Sequence, residues 1–298
     1  MDTITEFINY YGLEVEKELK QIFPQNWHIP ERLEESMNYS LFAGGKRMRP
    51  ILMIAAAEAL NGSISSVLPA AGALEMIHTY SLVHDDLPAM DDDDYRRGKL
   101  TNHKVYGEAM AILAGDALLT HSFYIVSKSL RAKDIPAETI LNIIEELSTY
   151  AGPRGMVGGQ VDDMDGQQGI TSIEQLKQIH THKTGDLIVC SLRAGGHIAG
   201  ATANQLEALA SFGYKIGLAF QIQDDILDVV GDEQKLGKPV LSDENGKKVT
   251  YPYLIGLEAC TDKVKELTEE AKQVIIEANF PNPNRLLEIA DFLMQREH

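Results

Sequence analysis

Ten residues of this chain, 85–94, hold six aspartates, in the stretch HDDLPAMDDDDYRRGKL (84–100). A second acidic set, FQIQDDILD (220–228), carries Asp224, Asp225 and Asp228. Paired carboxylates next to apolar residues suit a hard, oxygen-preferring cation such as Mg²⁺. Mg²⁺ seldom takes a complete protein cage; one or two carboxylates hold it and phosphate oxygens with water fill the rest. Phosphate-binding groups are therefore expected, and the chain offers them. GGKRMRP (44–50) places Lys46, Arg47 and Arg49 where a helix begins and free N–H groups favour anions. Arg96 and Arg97 follow the first acidic set, and Lys183, Lys238 and Lys248 come later. Each cation alone reads equally as solvated surface, and each acidic set as a helix end leaving the core. Together they point to a diphosphate site bridged by metal.

Helices must position these groups. Leu74, His78, Ser81 and Asp85 step along one helix face at three- and four-residue intervals, and Pro88 then breaks the helix near Leu87. Asp91, six residues beyond Asp85, is off that face unless the break folds it back. Ile216, Phe220, Asp224 and Asp228 follow one another at i+4 and share a face without any break. Helical spacing recurs in 30–43, 51–60, 68–87, 107–130, 204–230 and 262–278, and 51–60, apolar nearly all round, reads as a buried central helix. Thr171 with Glu174 forms a capping-box pattern before IEQLKQIHTHK. Glycine and proline mark loops at 152–170 and 231–252, and strand signals are nearly absent. The expectation is an all-α bundle of about ten or more helices in one domain, residues 1–298.

Composition narrows the function. A net charge of -17 and a pI near 4.9 disfavour nucleic acid and anionic membranes as partners. Two cysteines, Cys190 and Cys260, in apolar or amphipathic stretches read as reduced thiols. The N-terminus shows no basic-then-apolar leader and no apolar run approaches a membrane span, so a cytoplasmic, non-integral protein is expected.

The stretches AGGKRMRP, IHTYSLVHDDLPAMDDDDYRRGK, EAMAILAGDALLT, GGQVDD, HKTGDLI, FQIQDDILDVVGD and KLGKPVLSDENGKKVTYP together resemble the trans-isoprenyl diphosphate synthases of the bacterial farnesyl type, over almost the whole chain. The resemblance implies an all-α isoprenoid-synthase bundle around a deep central cavity, usually in a homodimer. It implies head-to-tail condensation of isopentenyl diphosphate with dimethylallyl or geranyl diphosphate. By that resemblance Asp85, Asp86 and Asp91, with Asp224 and Asp228, hold a cluster of three Mg²⁺ ions bridged to the allylic diphosphate, Asp86 in a supporting part. Arg96, Lys183, Thr184, Gln221, Lys238 and Lys248 serve the allylic diphosphate and its ionisation; Lys46, Arg49, His78 and Arg97 bind isopentenyl diphosphate. Gln160 and Asp163 line the cavity. His84, His180 and His182 are given structural roles, and Asp116 reads as a buried acid in a structural ion pair. Leu100, Leu241 and Val249 depart from the family pattern without removing a proposed ligand.

Tyr80 lies one and a half turns before Asp85, about 7.5 Å along the helix. In such enzymes an aromatic residue there floors the pocket, and the small Ser81 leaves room for a shorter chain. This favours a farnesyl (fifteen-carbon) product. The alternatives are a geranylgeranyl (twenty-carbon) product, a non-catalytic subunit, a terpene cyclase or a simple acidic cation-binding protein. The intact pair of acidic motifs and the isopentenyl-type cations argue against the last three.

Overall fold

The computed structural model describes residues 3–166, 172–230 and 249–294. They are almost wholly helical. The helices are α1 (Ile4–Leu19), α2 (Glu31–Leu41), α3 (Met48–Ala59), α4 (Ile64–Asp85), α5 (Asn102–Tyr106), α6 (Glu108–Arg131), α7 (Ala137–Ala151), α8 (Met156–Gly166) and α9 (Ile173–His180). A π-helix, Thr181–Gly185, follows, then α10 (Asp186–Ile198), α11 (Ala203–Val230), α12 (Tyr251–Ile255), α13 (Leu257–Glu277) and α14 (Asn284–Met294). The strands among the described residues are a two-residue hairpin, Tyr95–Arg96 with Lys99–Leu100. The all-α expectation holds. The helix at 171–180 starts differently from the reading above: Ser172, not Thr171, is its N-cap, accepting from the Gln175 N–H at 3.3 Å.

The chain forms two compact units, Met1–Ile54 with Ile64–Ile144, and Ala55–Ser63 with Glu145–His298. The first is built on α4, which packs along α6. Leu74, Met76 and Ile77 of α4 are fully buried, as are Ala111, Ala114 and Leu118 of α6. Small residues on α6 let the two helices approach closely. The N-terminal part of α3, Ile51–Ile54, is at most 1% exposed, as its all-apolar sequence requires. Near α1, Trp27 packs on Tyr124 with ring centroids 4.7 Å apart and on His121 at 5.4 Å.

The second unit centres on α11, which packs against α10 and α13. Its core joins Leu218, Ala219 and Ile222 of α11 to Leu176, Tyr251, Cys260 and Val264. Cys190 and Cys260 are free and buried, and burial pushes both thiols above their ordinary range. One expectation needs amending. An eighteen-residue window of α6 has a mean hydropathy of 1.5 and is long enough to cross a membrane by length and composition alone. Core helices of soluble proteins have the same composition, and here the buried face of α6 is taken up by α4.

Candidate active site

In the first unit α4 runs to Asp85, and Pro88 then forbids another turn. The chain doubles back: the Met90 N–H reaches the Leu87 carbonyl at 2.8 Å, and the Asp91 N–H reaches the Asp85 carbonyl at 2.9 Å. Asp92 completes the reversal with φ +52°, in the left-handed region. Asp85 and Asp91 are thus tied together through the backbone, both half-buried, as the break at Pro88 predicts. Asp86 behaves differently. It is 3% exposed and its carboxylate accepts from Arg96 Nε at 2.6 Å. Burial raises its carboxyl group, and the Arg96 guanidinium opposes that rise. Asp86 and Arg96, assigned above to metal and diphosphate, are here partners of each other. Arg96 also reaches Asp93 at 3.3 Å, and Lys104 pairs with Asp94 at 2.6 Å. Asp92, Asp93 and Asp94 are exposed.

A basic cluster belongs to the same unit. Arg49 Nη1 lies 3.2 Å from His78 Nε2. Arginine cannot accept, so His78 Nε2 accepts and its ring is neutral. Burial drives the His78 basicity well below its usual value, and the charges of Arg49, Arg97, Arg96 and Arg47 push it the same way. Burial also lowers the Arg49 guanidinium to about 10; Glu75 opposes this and Arg97 reinforces it. Crowded guanidiniums around a neutral histidine are a site an anion would relieve. Arg97 comes from the hairpin turn, with φ +53°, and donates to the Gly44 carbonyl. Gly45, at φ +112°, makes room: a Cβ there would lie 2.5 Å from the Arg97 guanidinium carbon. Lys46 is exposed beside it.

Arg47, grouped above with the phosphate-binding cations, is instead 3% exposed. It binds Glu75 and the Leu41 carbonyl, each at 2.6 Å. Glu75 was not singled out from sequence, although a lone glutamate in the otherwise apolar run VLPAAGALEMI (67–77) is a signal for a buried partner. Tyr80 is buried, with its hydroxyl pushed up to about 12, first by burial and then by Asp85. Ser81 donates to the His78 carbonyl at 2.9 Å. Asp116 is exposed, contrary to the expected buried acid, because it falls on the outer face of α6.

In the second unit the helix weakened by Thr184 and Gly185 widens into the π-helix, a distortion frequent at functional sites. Lys183 Nζ donates to Asp163 of α8 at 2.7 Å, and the Thr184 hydroxyl donates to Gln221 Oε1 on α11 at 2.6 Å. Glycines permit these approaches. A Cβ on Gly159 would lie 2.3 Å from the Lys183 nitrogen, and one on Gly217 3.2 Å from the Gly185 Cα. Asp186, also missed in the sequence, accepts from His182 Nδ1 at 2.9 Å and the Tyr214 hydroxyl at 2.8 Å. Its signal was an acid opening the apolar run DLIVCSL.

Along α11 the second acidic set divides. Asp224 is half-buried and Asp228 is 2% exposed. Asp225 turns away and accepts the Tyr251 N–H at 2.9 Å. His180 stacks on Tyr251 with centroids 5.8 Å apart, and burial lowers its basicity to about 4. Lys238, Lys248 and Leu241 lie outside the described residues.

Among the described residues no three metal-ligating side chains converge. Each unit instead offers an oxygen-donor carboxylate pair, Asp85 with Asp91 and Asp224 with Asp228. That donor set fits Mg²⁺ carried in with a diphosphate rather than a protein cage.

The Polyprenyl synthetase family matches residues 30–279. The chain is 45% identical to the farnesyl diphosphate synthase of Geobacillus stearothermophilus over 296 residues, 99% of each chain. It is 44% identical to the geranylgeranyl diphosphate synthase of Cyanophora paradoxa, over 95% of this chain and 93% of that one. Among solved structures it resembles the geranyltransferase of Legionella pneumophila, with a TM-score of 0.86 and 31% identity over 98% of this chain and 97% of that one.

Proposed function

We propose that this chain, which belongs to the polyprenyl synthetase family, condenses isopentenyl diphosphate with dimethylallyl and then geranyl diphosphate to give farnesyl diphosphate. The observation that carries the reading is the arginine cluster around neutral His78, in the same unit as the folded-back Asp85 and Asp91. Acidic groups for a metal–diphosphate and basic groups for a second diphosphate belong to a two-substrate prenyl transfer.

Asp85 and Asp91 in the first unit, and Asp224 and Asp228 in the second, would hold Mg²⁺ that arrives with a diphosphate. Bound Mg²⁺ supplies electrostatic stabilisation of the departing diphosphate. Arg96 in the first unit, and Lys183, Lys238 and Lys248 in the second, would stabilise negative charge developing on a diphosphate. The allylic C–O bond breaks heterolytically, and its electron pair leaves with the diphosphate. The Thr184 hydroxyl oxygen, the Gln221 amide oxygen and the Lys183 carbonyl present negative dipoles to the allylic cation. Lys46, Arg49, His78 and Arg97 hold isopentenyl diphosphate, whose double bond attacks the cation to form the new C–C bond. A proton is lost to the released diphosphate, so no protein base is required. Tyr80 floors the pocket and ends growth at fifteen carbons. The enzyme works as a cytoplasmic homodimer.

Incubation with isopentenyl and dimethylallyl diphosphates plus Mg²⁺, with products resolved by chromatography, tests this. Farnesyl diphosphate is expected as the main product. A folded protein that forms no prenyl product would overturn the reading, and a twenty-carbon main product would replace its product assignment.

A further inference from the structure

Tyr80 sits on α4, and its ring is not held by α4 alone. One turn later, at i+4, His84 meets it edge to face, with ring centroids 5.7 Å apart and planes at 81°. The His84 ring is itself fixed from the neighbouring helix. Its Nε2 lies 3.1 Å from the Ile112 carbonyl of α6. A carbonyl only accepts, so Nε2 carries the proton. The ring also fills the space over Gly115 of α6, where an added Cβ would lie 2.2 Å from Nε2. Tyr80 is thus braced by an imidazole that is bonded to one turn of α6 and seated on the absence of a side chain at the next.

We infer that His84, seated on Gly115 and the Ile112 carbonyl, is a positioning residue for product length, because it fixes the Tyr80 ring between α4 and α6. The inference rests on the proposed role of Tyr80 as the pocket floor. A floor stops a growing chain only if it does not yield. An unbraced tyrosine can rotate about its side-chain bonds and admit one more isoprene unit. The brace costs the site no catalytic group. His84 therefore governs which product leaves, with little influence on the ionisation step.

Product ratios from His84→Ala, Tyr80→Ala and the double variant test this. His84→Ala is expected to raise the twenty-carbon to fifteen-carbon ratio about two- to ten-fold, the range of an edge-to-face ring contact. Tyr80→Ala is expected to raise it further. The double variant should match Tyr80→Ala, because both changes act through one ring. His84→Gln keeps an N–H donor for the Ile112 carbonyl but no ring, and carries the test if His84→Ala fails to fold; the same lengthening is expected. If Tyr80→Ala lengthens the product while the His84 variants yield the parent ratio, the brace is overturned and the floor stands. If Tyr80→Ala leaves the ratio unchanged, the floor itself is wrong and the brace falls with it. Additive lengthening in the double variant would likewise overturn the brace, since His84 would then act apart from Tyr80.

Discussion

The two acidic segments reach a similar end by opposite means. In the second, Asp224 and Asp228 are four residues apart on an unbroken helix, and periodicity alone puts them on one face. In the first, Asp85 and Asp91 are six apart, which on a straight helix would set them about 120° from each other. Pro88 ends the helix, and the Asp91 N–H closes onto the Asp85 carbonyl instead. The middle aspartate differs too. Asp86 is neutralised within its own segment by Arg96, ten residues on, whereas Asp225 caps the backbone at Tyr251, from a distant part of the chain. A site made by a turn carries its own counter-charge; a site made by a helix relies on what packs against it.

The sharpest break in that comparison is removal of the carboxylates. Asp85→Ala and Asp224→Ala are each expected to lower kcat on the order of a thousand-fold. Asp225→Ala should keep most activity but lose about 1 kcal/mol of stability, through the Tyr251 N–H left without its acceptor. Steady-state kinetics and urea unfolding separate the two effects, and equal kinetic losses from Asp224 and Asp225 would erase the division drawn along α11.

Next comes Pro88→Ala, which restores helical propensity and touches no ligand. Only the first segment depends on the break, so a loss of about a hundred-fold in kcat is expected from misplacing Asp91, with unfolding little changed. Wild-type turnover in this variant would mean the reversal does not need the proline.

Gly217→Ala probes the second segment through its packing. The added Cβ would meet the Gly185 Cα at 3.2 Å, backbone that cannot swing aside. A stability loss of about 1–3 kcal/mol is expected, together with a raised KM for the allylic substrate as the π-helix bearing Lys183 shifts. An unchanged urea midpoint would count against that contact.

The smallest effect is in pH. His78 in the first unit and His180 in the second are both held neutral when folded, His180 to about 4. Unfolded histidine protonates near 6.5. As pH falls below about 6.5 the unfolded chain takes up protons that the folded chain refuses, so stability falls. The slope is on the order of 1 kcal/mol per pH unit for each ring. Replacing either histidine with glutamine should flatten the decline in urea midpoint between pH 7 and 5; an unaltered slope for His180→Gln would show that ring to be charged or exposed.

Much of this was legible in the sequence. Spacing located the α4 break, the shared face of Asp224 and Asp228, and the buried start of α3, because each follows from local geometry and apolar pattern. The partners of charges were not legible. Glu75 with Arg47, Arg96 with Asp86, and Asp186 with Tyr214 are pairings across 10 to 28 residues. Periodicity along one helix carries no information about the facing one. Asp116 shows the same limit: an acid in an apolar run reads as buried until the bundle shows which face is outward.

Trp27 is the chain's single tryptophan, and it belongs to the first unit, with its ring edge-on to His121 and tilted against Tyr124. Its emission is therefore an optical label for one half of the molecule, obtained without any added dye. Far-ultraviolet circular dichroism averages over helices of both halves. Coincident melting by the two signals would make the protein a single cooperative block. Separate transitions would let the stability of the turn-built acidic segment be measured apart from that of the helix-built one.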